Sequence, residues 1–336
     1  MRVGIIGAGL QGGRRAQALR KSGDKLVVVA DVDIERAKLL GDDMGCEVTD
    51  NWQEIVTRKD IDVIVVCTPP HLHEPVCTLA LKNGKHVLCE KPLTRTVAEA
   101  RKIVETAQKN GVKVKCGFNH RHHPGIMQAR KWFDSQIIGE LSFIRCRYGI
   151  GGRPGFEKEW RVDPEISGGG QLMDQGMHLI DLCRWFMGDF NQVFGFGATC
   201  FWDIAPVEDN SFALLRTEKD QVASLHASWT QWKNLFSFEL FGKDGYIIVE
   251  GLGGSYGTER ATLGKREFLK PFREETIEFR GEDCSWQEEW EEFTTAINKN
   301  REPLGNGNDG LEAVRLVHLI YESASRVINR SNPRGK

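Results

Sequence analysis

Residues able to do chemistry fall into a few groups along this chain. The first is Gly7-Ala8-Gly9-Leu10-Gln11-Gly12, a G-x-G-x-x-G run that follows a short apolar stretch and opens a helical one. In that setting Gly7 permits a tight turn, Gly9 lets the backbone approach a pyrophosphate, and Gly12 lets helix and strand pack closely. Leu10 and Gln11 begin the helix, whose unpaired N–H groups and positive partial charge suit phosphate oxygens. Asp31 stands nineteen residues beyond Gly12, where a carboxylate accepts ribose hydroxyls and repels a 2′-phosphate. The run Ala30-Asp31-Val32-Asp33 places no arginine beside it. The dinucleotide expected is therefore NAD rather than NADP.

The second group is Glu90-Lys91-Pro92. A lysine beside a positively charged nicotinamide ring has its pKa depressed and can join a proton relay. The third runs from Gly168-Gly169-Gly170 through Asp174 and His178 to Asp181. Asp174 and His178 are four apart and share a helix face, and Asp181 lies three beyond. Either carboxylate could orient the imidazole and fix its tautomer, and the spacing does not choose between them. The three glycines let the backbone approach something closely just before this helix. Cys116, His120, His122 and His123 form C-x-x-x-H-x-H-H, which is not a zinc spacing, and no metal is expected. Asn119 and Arg121, in the same segment, are the better pocket-lining groups.

These side chains need elements to hold them. Over the first 120 residues, β-branched runs at Arg2–Gly7, Leu26–Asp31, Val63–Thr68, Lys85–Cys89 and Val112–Gly117 alternate with helical spacing at Leu10–Lys21, Ile34–Asp43, Trp52–Arg58, His71–Asn83 and Thr96–Asn110. The strands are apolar throughout, as in a parallel sheet covered on both faces. Such repeats give a doubly wound domain with ligands at the carboxyl ends of its strands. Thr68 and Pro69 leave one strand at that edge and border the nicotinamide half, and His73, Glu90, Lys91 and Asn119 are grouped with them as cofactor-side residues. Beyond about residue 120 the pattern changes. Helices are expected over Gly125–Ser135 and Leu172–Met187. Strands follow in series from Leu141–Ile150 and over Val193–Thr199, Ser211–Arg216, Gln221–Trp229, Leu235–Phe241 and Tyr246–Val249, which argues an antiparallel or mixed sheet. Two helices, Trp286–Asn300 and Leu311–Asn329, close the chain before a frayed tail at Asn332–Lys336. The fold class expected is α/β, with residues 1–120 as the dinucleotide domain and 121–336 as a substrate and oligomerisation domain.

Composition narrows the setting. Lys plus Arg number 45 against 47 Asp plus Glu, so no basic balance points to nucleic acid. Apolar runs are too short for a transmembrane helix. Nine cysteines without a C-x-x-C pair, several inside apolar runs, fit a reducing cytoplasm better than a disulfide framework. Glycine, 36 of 336 residues, is in excess, and it clusters at residues 7–13, 149–155, 168–176 and 251–257. The last cluster has no role readable from the sequence.

The order of these motifs, with Gly117-Phe118-Asn119-His120-Arg121 and the D-x-G-x-H-x-x-D segment, resembles the glucose–fructose oxidoreductase/inositol dehydrogenase/MocA family over nearly the whole chain. The resemblance implies a Rossmann domain followed by an α/β domain whose large open sheet commonly joins subunits, giving a homodimer or homotetramer. It implies Lys91, Asp174 and His178 as the catalytic set, and a cis peptide bond before Pro92. The mechanism expected is removal of a secondary hydroxyl proton by His178 while its carbon gives hydride to NAD. Lys91 would bind the same oxygen. Arg147, Arg153, Lys158 and Arg161, with Trp160, Trp202, Trp229 and Trp232, favour a nucleotide-linked hexose bound through its pyrophosphate and base, as in a UDP-N-acetylglucosamine 3-dehydrogenase. Arg121, Arg153, Trp160 and Arg161 join the catalytic set as substrate-binding residues. The alternatives are a free monosaccharide or inositol dehydrogenase, and a non-catalytic NAD sensor. The sensor should have lost Lys91 or His178, and both are present.

Overall fold

The computed structural model of the protein describes residues 1–270 and 273–331. The tail expected at Asn332–Lys336 lies outside the described residues. The chain divides into two compact units. One takes in Met1–Asn119, Glu165–Gly168 and Trp286–Val314, and the other the remaining segments. The single boundary near residue 120 therefore gives way to a chain that returns to its first unit late, because Trp290 and Phe293 of the Ser285–Asn298 helix belong to the same core as Val3, Ile5, Leu26, Val63 and Leu88.

The first unit is built on β1 (Arg2–Ile6), β2 (Lys25–Ala30), β3 (Glu47–Thr49), β4 (Val63–Val66), β5 (His86–Cys89) and β6 (Val114–Cys116). All pair in parallel, in the order β3-β2-β1-β4-β5-β6. Val63–Val66 are fully buried, as strands covered on both faces must be. The order reverses between β1 and β4, so the loops after these two strands frame the crevice where ligands of such sheets bind. Helix ends follow local rules. The Asp33 side chain accepts from Arg36 N at the start of Ile34–Met44, and Gly111 ends Val97–Asn110 in the left-handed region. The sequence pattern missed β3, which is three residues long and only partly buried.

The second unit holds β7 (Leu141–Gly149), β8 (Gln192–Ala198), β9 (Asn210–Arg216), β10 (Val222–Ser228), β11 (Leu235–Gly242), β12 (Gly245–Glu250), β13 (Glu259–Lys265) and β14 (Glu274–Phe279). They form one sheet in the order β14-β13-β12-β11-β7-β10-β9-β8, antiparallel except for β7 beside β10. Helix Pro124–Asp134 packs on β12 and β13, and helix Met177–Met187 on β7 and β10. β13 and β14 were not foreseen. Both are rich in polar and charged residues and carry no apolar run, and β14 forms one edge of the sheet, where charge is usual. Cross-strand register aligns Phe194, Leu214, Phe196, Phe212 and Phe143 on one side of the sheet, and all five are exposed.

Candidate active site

In the first unit the Gly7–Gly12 turn has the shape that a dinucleotide requires. Gly7 sits at φ 102° and donates its N–H to Ala30 O at 2.7 Å. A Cβ on Gly12 would lie 2.0 Å from Gly7 O, whereas one on Gly9 would meet nothing within 4 Å. The turn is thus closed toward the sheet and open on its outer side. No side chain caps helix Leu10–Ser22, and its first turn contains no acid. Its leading amides suit an anion. Asp31 Oδ2 accepts Ala8 N at 2.8 Å and Oδ1 accepts Asp33 N at 3.0 Å. Each carboxylate oxygen has a second lone pair for a ribose hydroxyl. Arg36, absent from the immediate sequence neighbourhood, brings its guanidinium to 3.6 Å from Asp31. Thr68 Oγ1 and His71 Nδ1 are buried at the end of β4 without a hydrogen-bond partner, and together with the open turn they fit a polar ligand such as NAD.

Two residues expected on the cofactor side make buried contacts within the first unit. His73 is buried, with Nδ1 2.8 Å from Pro92 O and Nε2 2.8 Å from Thr68 O. It ties the β4 loop to the Lys91–Pro92 turn, whose peptide bond is cis. Burial pushes its pKa down against the pull of both carbonyls. Glu90 accepts from Arg15 Nε at 2.8 Å, and Arg15 Nη1 donates to Glu289 at 2.5 Å, all three being nearly inaccessible. Burial alone would lower the Arg15 pKa, but Glu289 and Glu90 outweigh it and hold it raised. Trp286 stacks against the same guanidinium at 4.5 Å. Lys91 is half-buried at the carboxyl edge of β5, and Asn119 is buried just after β6.

In the second unit the predicted helix over Leu172–Met187 changes type. Leu172–Gly176 is a π turn and Met177–Met187 is α-helical, a widening often found at functional sites. Asp174 lies in the wide turn and His178 in the first turn of the α-helix, so their spacing of four spans a change of helix type. His178 is buried, and its ring stacks on His120 with centroids 3.7 Å apart and planes 19° apart. Tyr148 stands edge-on to both rings. Asp181, the other carboxylate that the spacing allowed, pairs with Arg121. The pair is buried and bidentate, at 2.8 and 2.6 Å. His123 pairs with Glu259 at 3.1 Å. Gln171 Nε2 donates to Gln175 Oε1 at 2.6 Å, and Gln175 Nε2 donates to Tyr256 Oη at 3.1 Å. The glycine cluster over 251–257 thereby gains a role, since its left-handed Gly251, Gly253, Gly254 and Gly257 fold the loop that delivers Tyr256.

The cationic loop is less open to a pyrophosphate than its composition implied. Arg153 and Arg161 both pair with Glu159, at 2.6 and 3.0 Å. Arg161 covers the ring of the partly exposed Trp160 at 4.6 Å. Arg147 lies on β7, in the row paired with His226. Trp229 is fully buried with Phe156, Ile204 and Val207, so of the four tryptophans only Trp160 and Trp232 are exposed. Sequence reasoning did not assign His120, Tyr148 and Tyr256 to this site. The His120 run was the one available signal.

Residues 1–118 match a family model described as an oxidoreductase family with an NAD-binding Rossmann fold, and residues 126–248 match the GFO/IDH/MocA C-terminal domain. The chain is 27% identical over 286 residues to levoglucosan dehydrogenase of Pseudarthrobacter phenanthrenivorans, covering 74% of this chain and 73% of that one. It is 27% identical to inositol 2-dehydrogenase of Rhizobium meliloti over 97% of both chains. A solved structure of levoglucosan dehydrogenase in complex with NADH and L-sorbose aligns with TM-score 0.89 over 97% of both chains, at 23% identity. The two matched family domains, and the glycine turn that the first of them builds, establish that this chain belongs to the GFO/IDH/MocA family of NAD-binding oxidoreductases.

Proposed function

We propose that the protein oxidises a secondary hydroxyl of a free sugar or polyol, with NAD as hydride acceptor. The observation that carries this substrate class is the pairing of Arg153 and Arg161 with the single carboxylate of Glu159. A pyrophosphate would have to displace that carboxylate, whereas a neutral polyol needs no cation. The names of the relatives support the same reading, because they are levoglucosan and inositol dehydrogenases. A nucleotide-linked hexose becomes the second choice.

When bound, NAD supplies the two-electron acceptor. His178 takes the hydroxyl proton on a ring nitrogen as the carbon–hydrogen bond breaks. Stacking on His120 holds the imidazole plane. Lys91 binds the reacting oxygen and stabilises its developing negative charge. Asp174 orients His178 or accepts from a neighbouring hydroxyl. Gly7, Gly9, Leu10, Gln11, Gly12 and Asp31 hold the dinucleotide, with Thr68 and Pro69 toward its nicotinamide half and Asn119 beside them. The test is steady-state NAD reduction with inositols, alkyl glucosides, an anhydro-sugar and UDP-N-acetylglucosamine in parallel. Turnover of a neutral compound is the expected result, and turnover of the UDP-sugar alone would reverse the choice.

We propose further that the exposed Phe194, Phe196, Phe212 and Leu214 face joins copies of the chain into a dimer or tetramer, since apolar patches of this kind mark interaction surfaces. Light scattering would show a monomer if this is wrong. No described helix is long and apolar enough to cross a membrane. The nine free cysteines support a reducing, cytoplasmic setting.

A further inference from the structure

The glycines Gly168–Gly170 were expected to admit something close to the backbone before the His178 helix. What comes close is a pair of side chains from distant parts of the second unit. A Cβ on Gly169 would lie 2.4 Å from Tyr321 Oη, and one on Gly170 would lie 2.3 Å from Glu208 O and 2.5 Å from Glu208 Oε2. Glu208 Oε1 accepts from Leu172 N at 2.9 Å and from Tyr321 Oη at 2.9 Å. Tyr321 Oη accepts from Gly170 N at 3.2 Å, and Glu208 O accepts from Gln171 N at 3.0 Å. Three consecutive amides leading into the π turn are thus bound by Glu208 and Tyr321: the first by the phenol, the second by the Glu208 main-chain carbonyl and the third by its carboxylate. Glu208 is buried. Burial pushes its pKa up, while the Leu172 amide and the Tyr321 hydroxyl pull it down. The next residue, Asp209, accepts the amides of Cys200, Phe201 and Trp202, which anchors the loop that carries Glu208.

We propose that Glu208 is a positioning residue for the reaction: its carboxylate, held by Tyr321, fixes the start of the segment bearing Asp174 and His178 and places negative charge there. The inference rests on His178 as the general base. The start of a helix carries positive partial charge, which weakens an imidazole base in its first turn. A carboxylate at the same end opposes that effect. His178 lies six residues beyond Leu172, at most roughly 9 Å along the axis because the π turn between them rises less per residue than an α-helix, close enough for an incompletely screened charge to be felt. The titratable and charged groups that face these two residues are Tyr321 at Glu208, and His120 and Tyr148 at His178, with Asp181 on the same helix paired to Arg121 of the Asn119–His122 turn.

The test compares Glu208→Gln and Tyr321→Phe with the wild type by pH profiles of kcat/KM on a neutral polyol, NAD affinity and thermal midpoint. Glu208→Gln keeps an oxygen acceptor for Leu172 but removes the charge. It should lose about tenfold in kcat, move the acid limb of the profile down by about half a pH unit, and bind NAD as before. Tyr321→Phe should move the limb in the same direction by less, and it carries the test if Glu208→Gln does not fold. An unmoved acid limb in the folded variants overturns the proposal, whether or not stability falls, because a purely structural contact would leave the profile in place. Failure of the underlying reading shows differently, as no polyol turnover by the wild type.

Discussion

Glu289→Ala should destabilise the first unit by about 3–5 kcal/mol, the usual cost of leaving a buried charge without its partner. Arg15 Nη1 lies 2.5 Å from Glu289 Oε2, and Lys115 Nζ lies 3.7 Å from Glu289 Oε1, with Arg15, Lys115 and Glu289 all nearly inaccessible. Removing this carboxylate strips a partner from two buried cations at once. Arg15 keeps Glu90, and Lys115 keeps Glu292 at 3.5 Å and the carbonyl of Leu304, so the loss is bounded rather than total. At about 2–4 °C per kcal/mol for a unit of this size, the midpoint should fall by roughly 10 °C. Urea unfolding followed by tryptophan fluorescence is the assay, since Trp286 stacks on Arg15 and Trp290 lies in the adjoining core. Saturating NAD should restore part of the loss, about 2.7 kcal/mol at a hundred times its Kd. A fall of less than about 1 kcal/mol, a value typical of exposed pairs, would refute the claim that this ion cluster holds the returning helix to the dinucleotide sheet.

Other outcomes follow from the same geometry. Gly12→Ala should weaken NADH binding about a hundredfold in fluorescence titration because its Cβ would lie 2.0 Å from Gly7 O, whereas Gly13→Ala, with nothing within 4 Å, should be near neutral. Asp31→Ser should raise the NADP-to-NAD ratio of kcat/KM by about tenfold or more, since it removes the repelling carboxylate and frees Arg36, now 3.6 Å away. His73 has its pKa pushed down by burial, so the unfolded chain takes up the proton first as pH falls. Its contribution is therefore full above about pH 6.5 and shrinks as pH drops towards the folded value, by at most about 1.4 kcal/mol per pH unit. Urea midpoints measured between about pH 7 and pH 5 should show a shallower decline in His73→Gln.

What could be read in advance was what the backbone demands locally. The glycine turn and the apolar strands of the first sheet each follow from a few neighbouring residues. Partners across the chain were not legible. Arg15 and Glu289 are 274 residues apart, and nothing in either neighbourhood announces the other. The same holds for His120 on His178 and for Tyr321 on Glu208. Glu90, His73 and Arg121 stand in the motifs that marked them, and each is also buried against a partner that the motif does not reveal, as buried polar groups require. The edge strand β14 and its neighbour β13 escaped notice because their polar and charged residues, which protect an edge, also erase the apolar signal.

The central claim is that His178 and Lys91 carry out hydroxyl oxidation on a free polyol. Its most direct test is the rate of NAD reduction by His178→Ala and Lys91→Ala beside the wild type, with NAD affinity measured by calorimetry on the same samples. The account predicts that the wild type turns over a neutral sugar or inositol, and that each variant loses about a thousandfold in kcat/KM, near 4 kcal/mol of transition-state stabilisation, while NAD affinity changes by less than about threefold. Turnover within about tenfold of the wild type in either variant, with NAD still bound, would contradict it.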